Sequence, residues 1–309
     1  MESEFIAWLR DRLPPHPLLR LGPGDDAAVL HSAQGSDTLV TVDLLSDGVD
    51  FRLSEVDPRR IGRKALAVNL SDIAAMAGRP TAAVIALCLP RAGGLRLAKE
   101  LYEGLLPLAD RYGVAIAGGD TNSWDGPLAI GITLLGQVTS RGALRRGGAK
   151  VGDWIIVTGE FGGSILGRHF DFEPRVDEAL ILNERYTLHA GIDVSDGLSL
   201  DLSRLAAESR LGARIDLAAV PIAPAAHELA RQRGDGVSAL DHALGDGEDF
   251  ELVLAVPPED AARMLADQPL GVPLTCIGEV VADPGLWQRD DSGHVMALSP
   301  RGWEHELRP

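Results

Sequence analysis

The sequence predicts an α+β protein of two domains. Its 309 residues are enough for two domains at roughly 150 each. Strand-length β-branched runs alternate with helical-period segments, but without the regular spacing of a doubly wound sheet. The composition changes over Ser140–Lys150 (SRGALRRGGAK) to glycine and bases with little apolar content, a domain junction that divides the chain into 1–139 and 140–309. With 45% apolar and 24% charged residues, the chain has the means to bury a core.

Phe5–Leu13 reads as an amphipathic helix closed by Pro14 and Pro15. Leu39–Leu45 (LVTVDLL) reads as a strand ending in the turn Ser46-Asp47-Gly48. From Pro58 to Ala77 the apolar positions Ile61, Ala65, Leu66, Val68, Ile73 and Met76 recur at helical spacing, until Gly78-Arg79-Pro80 stops them. A buried strand over Thr81–Leu89 and a helix over Leu95–Tyr112 follow, then strands over Val114–Ala117 and Leu128–Val138. Past the junction, WIIVTG, FELVLAV and TCIGEV read as strands and Leu198–Ser209 as a helix. No repeat period and no low-complexity tract stands out.

Charge narrows the function. There are 29 basic and 45 acidic residues, a net charge of −16. Such a surface repels nucleic acid and anionic membrane, and it would repel a phosphorylated substrate unless cations intervene. Cys88 and Cys276 are too few for a disulfide framework or a four-cysteine zinc site; both are read as buried small hydrophobes. The acidic start MESEF lacks the pattern of a signal peptide, and the longest near-apolar run, Ala82–Leu89, is far too short to span a bilayer. A cytoplasmic, reduced protein is expected.

The chemistry-bearing residues are aspartates: Asp25-Asp26 in GPGDDA, Asp43 in TVDLL, Asp72 in NLSDIAAM, Asp120 in GGDTN, and Asp193 with Asp196 in DVSDGL. Taken singly, each is explained by turn or helix-cap chemistry. As a set they strain that explanation, because adjacent carboxylates repel and Asp43 and Asp193 sit in apolar strands where an unpaired charge is costly. Bound divalent cations would resolve both problems, and the scarcity of nearby His and Cys favours magnesium over zinc. GPGDDA matches the loose dinucleotide pattern G-x-G-x-x-A, but two carboxylates there would repel a pyrophosphate. G-x-x-x-x-G-K-[ST] and H-E-x-x-H are absent; His227-Glu228 and His305-Glu306 each lack the second histidine. Among the bases, Lys64 lies on the helix leading to Asp72, while Arg145, Arg146 and Lys150 sit in the junction. Arg146 matters if the junction faces the acids, where a guanidinium can grip phosphate bidentately.

In order along the chain, GPGDDAAVL, TVDLLSDGVDF, KALAVNLSDIAAMAGRP, GGDTN, RRGGAKVGDWIIVTG, DVSDGLSLDL and GEDFELVLAV resemble the thiamine-monophosphate kinase family. That family belongs to the aminoimidazole-ribonucleotide-synthetase-like superfamily. The resemblance runs from about Gly22 to the end. It implies a two-domain PurM-like fold, with an N-terminal mixed-sheet ATP and dimerisation domain and a C-terminal α/β sandwich domain. It implies ATP-dependent phosphorylation of thiamine monophosphate to thiamine diphosphate by direct in-line transfer, several Mg²⁺ ions, and a homodimer.

Carried over position by position, the resemblance makes Asp26, Thr41, Val42 (through its carbonyl), Asp43, Asp72, Asp120, Asp193 and Asp196 magnesium ligands. Asp72, Asp120 and Asp196 are the catalytic set among them. Gly119, Asp120, Arg146 and Ser195 would meet ATP, Asp50, Glu248 and Trp303 the substrate, and Asp25 would lie behind the ligands. Trp303 reads equally as an aromatic plug. The departures fall on the substrate side: Asp50 replaces a frequent histidine, Asp246-Gly247-Glu248-Asp249-Phe250 replaces G-G-E-D-Y, Asn122-Ser123 replaces Thr-Arg, and the stretch between Gly159 and Asp193 is short. Two alternatives stay open: another ATP-dependent synthetase of the superfamily, or a nucleotide- or thiamine-phosphate-binding module without turnover. A selenophosphate synthetase would need a cysteine near the N-terminus, and a hydrogenase-maturation member one at the C-terminus, where the sequence reads Glu306-Leu307-Arg308-Pro309.

Overall fold

The computed structural model describes residues 7, 10, 13, 16–22, 24–32, 35–290 and 292–305; the helix expected over 5–13 lies largely outside them. The first half carries strands β1 (Leu19–Leu21), β2 (Ala28–Leu30) and β3 (Thr38–Ser46), helix α1 (Pro58–Ala75), β4 (Arg79–Pro90), α2 (Gly94–Arg111), β5 (Ala115–Trp124) and β6 (Ala129–Gln137). Its sheet runs β1-β2-β3-β6-β4-β5, antiparallel except for the parallel pair β4 and β5. This is the expected mixed sheet.

Period two explains how the sheet is used. Leu39, Leu45, Ile85, Leu87, Ile130, Ile132 and Leu134 are buried in one core with α1 and α2, while Val42, Leu44 and Val84 on alternate positions stand exposed. Helix α1 begins at Asp57, whose carboxylate accepts the Arg59 N–H at 2.9 Å, with Pro58 as first helical residue. Most of its length is buried, because it is covered by the sheet on one side and by the second half on the other.

The second half contributes β7 (Trp154–Thr158), α3 (Arg168–Asp171), α4 (Val176–Arg185), β8 (Ala190–Asp193), α5 (Leu198–Glu208), β9 (Gly212–Asp216), α6 (Pro224–Arg233), α7 (Ala239–Gly245), β10 (Leu252–Val256), α8 (Pro258–Asp267), β11 (Leu274–Val281), β12 (Gly285–Arg289) and β13 (Val295–Ala297). Its sheet runs β13-β12-β9-β11-β7-β10-β8. Both faces of its centre are covered. Ile156, Leu252, Leu254 and Val256 join the core that contains α1, whereas Ile155, Val157, Val253 and Ala255 face a second core with α5. The halves are therefore welded by a shared apolar core. The junction is likewise tied on both sides, Leu144 N donating to the Met76 carbonyl at 3.0 Å and Gly191 N to the Arg145 carbonyl at 3.0 Å.

Four expectations need correcting. GGDTN is not a turn after a short strand but the middle of β5. Gly119 is required there because a Cβ would lie 1.9 Å from the Ile85 carbonyl oxygen of the paired strand. Asp72 is no helix cap, lying in the last turn of α1. Nor do Ser195-Asp196 cap α5. Asp201 reaches back from its first turn to accept the N–H groups of Asp196 and Gly197 at 2.9 and 3.0 Å. Cys88 and Cys276 are half-buried rather than buried. Among the described residues, no helix is long and apolar enough to cross a membrane.

Candidate active site

Three carboxylates from distant parts of the chain meet between the halves. Asp26 comes from the loop between β1 and β2, Asp72 from the end of α1 and Asp193 from the end of β8. One oxygen from each lies within 4.8 Å of the other two. Local geometry produces this convergence. Successive helical residues point about 100° apart, so neighbours on α1 reach different halves of the molecule. Asp72 accepts a hydrogen bond from Thr41 of β3, and Ser71 donates to Asp193 Oδ2 at 2.5 Å. The junction does face the acids. Arg146 forks onto Asp26, Nη2 to Oδ1 at 2.6 Å and Nε to Oδ2 at 3.2 Å, and its main-chain N–H meets the Asp25 carboxylate at 3.1 Å.

The cluster is short of positive charge. Burial, then the charges of Asp43, Asp193 and Asp26, raise the Asp72 carboxyl well above its ordinary value. Burial and Asp26 do the same to Asp193. Asp25, behind them, is pushed up to about 7 by burial and then by Asp26. Asp43 follows Thr41 by two residues and so shares its face of β3. Its Oδ2 is buried without a hydrogen-bond partner, and burial, Asp50 and Asp196 push its carboxyl up to about 6. Oxygen donors alone, one of them orphaned, fit a hard divalent cation and not a soft one.

Beside the cluster opens a cavity of about 400 Å³. Asp43, Asp50, Ser195, Asp196, Glu248 and Trp303 all line it. The segments 193–197 and 245–249 clasp each other beneath it, Glu248 N donating to the Ser195 carbonyl at 2.7 Å. Gly247 allows the close approach, since a Cβ there would stand 2.8 Å from the Ser195 oxygen. Asp196 is paired with Arg204, which also holds Asp201 at 2.7 Å. Trp303 is pinned at the cavity through its main-chain N–H, which donates to the Asp196 carbonyl at 2.9 Å. Asp50 directs its carboxylate to the Ser46 N–H at 2.7 Å, closing its own loop.

The structure does not bring every predicted residue together. Val42 points to the outer sheet face, leaving only its main chain for a ligand role. Asp120 pairs in register with Ala86, Ala86 with Gly131, and Gly131 with Leu44. It therefore lies on that outer face with Leu44, opposite Thr41 and Asp43, and three strand spacings away, roughly 14 Å along the sheet. Gly119 and Asp120 are thus remote from the acid cluster of their own chain. Sequence reasoning missed His169, which lies against Lys64 and Glu248, and Asp246 as a cavity residue. Neither Lys64, which directly follows Arg63 at the head of KALAV, nor His169 carried a signal that tied it to the site.

The fold and acid cluster define a protein of the AIR synthase related class. The N-terminal domain family of that description matches residues 24–138 and the C-terminal domain family residues 136–287. A thiamine-monophosphate kinase of Rhodopirellula baltica is 46% identical, covering 99% of this chain and 97% of that protein. The one of Escherichia coli K12 is 36% identical, covering 100% of this chain and 99% of that protein. The chain belongs to the thiamine-monophosphate kinase family. Among solved structures, AaThiL complexed with AMPPCP and TMP superposes with TM-score 0.82 at 25% identity, covering 98% of this chain and 95% of that one. Thiamine-monophosphate kinase from Stenotrophomonas maltophilia gives TM-score 0.72 at 36% identity, covering 93% and 95%. HypE of Escherichia coli, a hydrogenase maturation protein, shares the fold at TM-score 0.73 and 22% identity, over 97% of this chain and 98% of that one.

Proposed function

We propose that this chain transfers the γ-phosphoryl group of ATP to thiamine monophosphate, forming thiamine diphosphate, at the cavity between its two halves. One observation carries the reading: Asp26, Asp72 and Asp193 converge beside a cavity walled by Trp303. AaThiL, of the same fold, binds a nucleotide analogue and TMP. The chain divides functionally near 139/140, and each half supplies part of one site.

Both reactants are anionic, and the site is too. Magnesium held by Asp26, Asp43, Asp72, Asp193 and Asp196, with Thr41 and the Val42 carbonyl beside them, would neutralise the phosphates and the charge of the transition state. The protein's own contribution is positioning. Arg146, forked on Asp26, would give its remaining guanidinium N–H groups to a phosphate. Trp303 offers its face to the thiazolium ring, a contact worth about 0.5–2 kcal/mol. Asp50, Glu248 and Ser195 all line the cavity; the first two would face the substrate ring and Ser195 the nucleotide. No protein nucleophile is required, because the acceptor oxygen is already anionic near neutral pH. A coupled ADP-release assay with thiamine monophosphate, ATP and Mg²⁺ tests the reading: substrate-dependent ADP with matching thiamine diphosphate is expected. Tight binding of both ligands with no product would make the chain a binding module.

A second copy belongs on the outer face of the first sheet. Val42, Leu44 and Val84 are 64%, 70% and 44% exposed there, an apolar patch beside the edge strand β5. Gly119 and Asp120 can enter a nucleotide site only through such pairing, from one copy to the other. Mixing inactive D72N and D120N chains checks this. Half of the dimers are then mixed and each has one intact site, restoring about a quarter of wild-type activity. No recovery would remove the shared site, and sedimentation at one chain mass, 32.8 kDa, would remove the dimer.

A further inference from the structure

The most buried cation of the cavity has no part in the chemistry above. Lys64 comes from the middle of α1, and its side chain is 1% exposed. Its Nζ donates to the main-chain oxygen of Asp50 at 2.9 Å and to Glu248 Oε1 at 2.5 Å, and lies 2.9 Å from His169 Nδ1. Two of the ammonium N–H bonds are committed to these oxygens, and at 1% exposure the group is closed off from a ligand. His169, itself buried, also lies 2.9 Å from Glu248 Oε2, so the carboxylate is held at both oxygens. The Phe170 ring closes the remaining side, 5.2 Å from Nζ.

What Lys64 holds is the ring end of the cavity. Asp50 and Glu248 both line it, one from each half of the molecule. Glu248 also has φ +53°, a left-handed backbone that a glutamate adopts only when its surroundings impose it. Burial works against its ionisation, yet the hydrogen bond from His169 and the charge of Lys64 outweigh it and keep the carboxyl below its ordinary value. A buried ion pair is a poor way to gain stability, since an apolar residue of similar size does as well or better. Placed against two cavity walls, it is a good way to fix geometry.

We propose that Lys64, seconded by His169, is a positioning residue that sets the affinity for thiamine monophosphate by fixing Glu248 and the Asp50 loop without touching the substrate. The inference rests on the reading that Glu248 meets that substrate. The test is a set of steady-state measurements on K64M, E248Q and the double variant, each first shown to be folded by circular dichroism. K64M is expected to raise KM for thiamine monophosphate about tenfold or more while KM for ATP stays within about twofold. The double variant should be no worse than the poorer single one, because both remove the same contact. If E248Q raises that KM and K64M does not, the positioning role is wrong and the substrate reading stands. If neither raises it, the substrate reading fails first. Should K64M not fold, H169Q decides: a rise of about threefold or more in KM for thiamine monophosphate alone supports the proposal, and an unchanged value overturns it.

Discussion

Two groups of buried carboxylates sit in this molecule, and they are built in opposite ways. In the second half, Glu251 is 4% exposed at its side chain and fully compensated. Arg175 forks onto both of its oxygens at 2.6 and 2.7 Å, and Thr158 donates to one at 2.7 Å. Between the halves, Asp193 is just as enclosed and Asp72 half-buried, but their partners are the hydroxyls of Thr41 and Ser71, and their neighbours are other acids. Arg146 reaches only Asp26 and Asp25. A buried acid matched by arginine is complete within the fold. A buried acid surrounded by acids is left uncompensated within the fold, and this difference marks the second group as a candidate site.

The contrast breaks most sharply at Asp72. D72N is expected to lower turnover by about 10³-fold or more, since an amide cannot replace a charged oxygen ligand. Its melting temperature without Mg²⁺ should hold or rise, because one of several repelling carboxylates is gone. Near-normal turnover in a folded D72N protein would sink the cation site. Arg175→Met should do the reverse. It strands the Glu251 carboxylate and should cost about 3–5 kcal/mol of stability, with activity per folded molecule little changed. An unaltered denaturant midpoint would show that this pair does not support the fold. The smallest effect is a thermal shift with added Mg²⁺. At about 100 times its dissociation constant the ion adds ~2.7 kcal/mol to the wild-type protein. D72N should show little of that gain, and an equal gain in both would place the ion elsewhere.

Much of the fold was legible because its signals are local. The period of α1, the alternation in β3 and the apolar runs of β7, β10 and β11 lie where the pattern puts them. Strands β1, β2, β12 and β13 are too short to show a period, and so is α7 at seven residues. The second sheet was the harder half for the same reason: strands such as β8 and β9 are four and five residues long. At the site, Asp43 and Asp193 announced themselves by sitting in apolar strands. The support from Lys64 and His169 did not, because they are 105 residues apart and only the packing of α3 on α1 makes them neighbours.

The amino-acid order by itself determined the donor chemistry: carboxylates and hydroxyls without thiols, on a chain of net charge −16. It also determined the elements that carry those groups, since periodicity and turn chemistry act over a few residues. Only the tertiary structure decided which acids share a site. Strand order and the burial of α1 between two sheets brought Asp26, Asp72 and Asp193 within one ion's reach. The same sheet turned Asp120 to the opposite face, because pairing register and the side of a sheet are set by contacts between segments far apart in the chain.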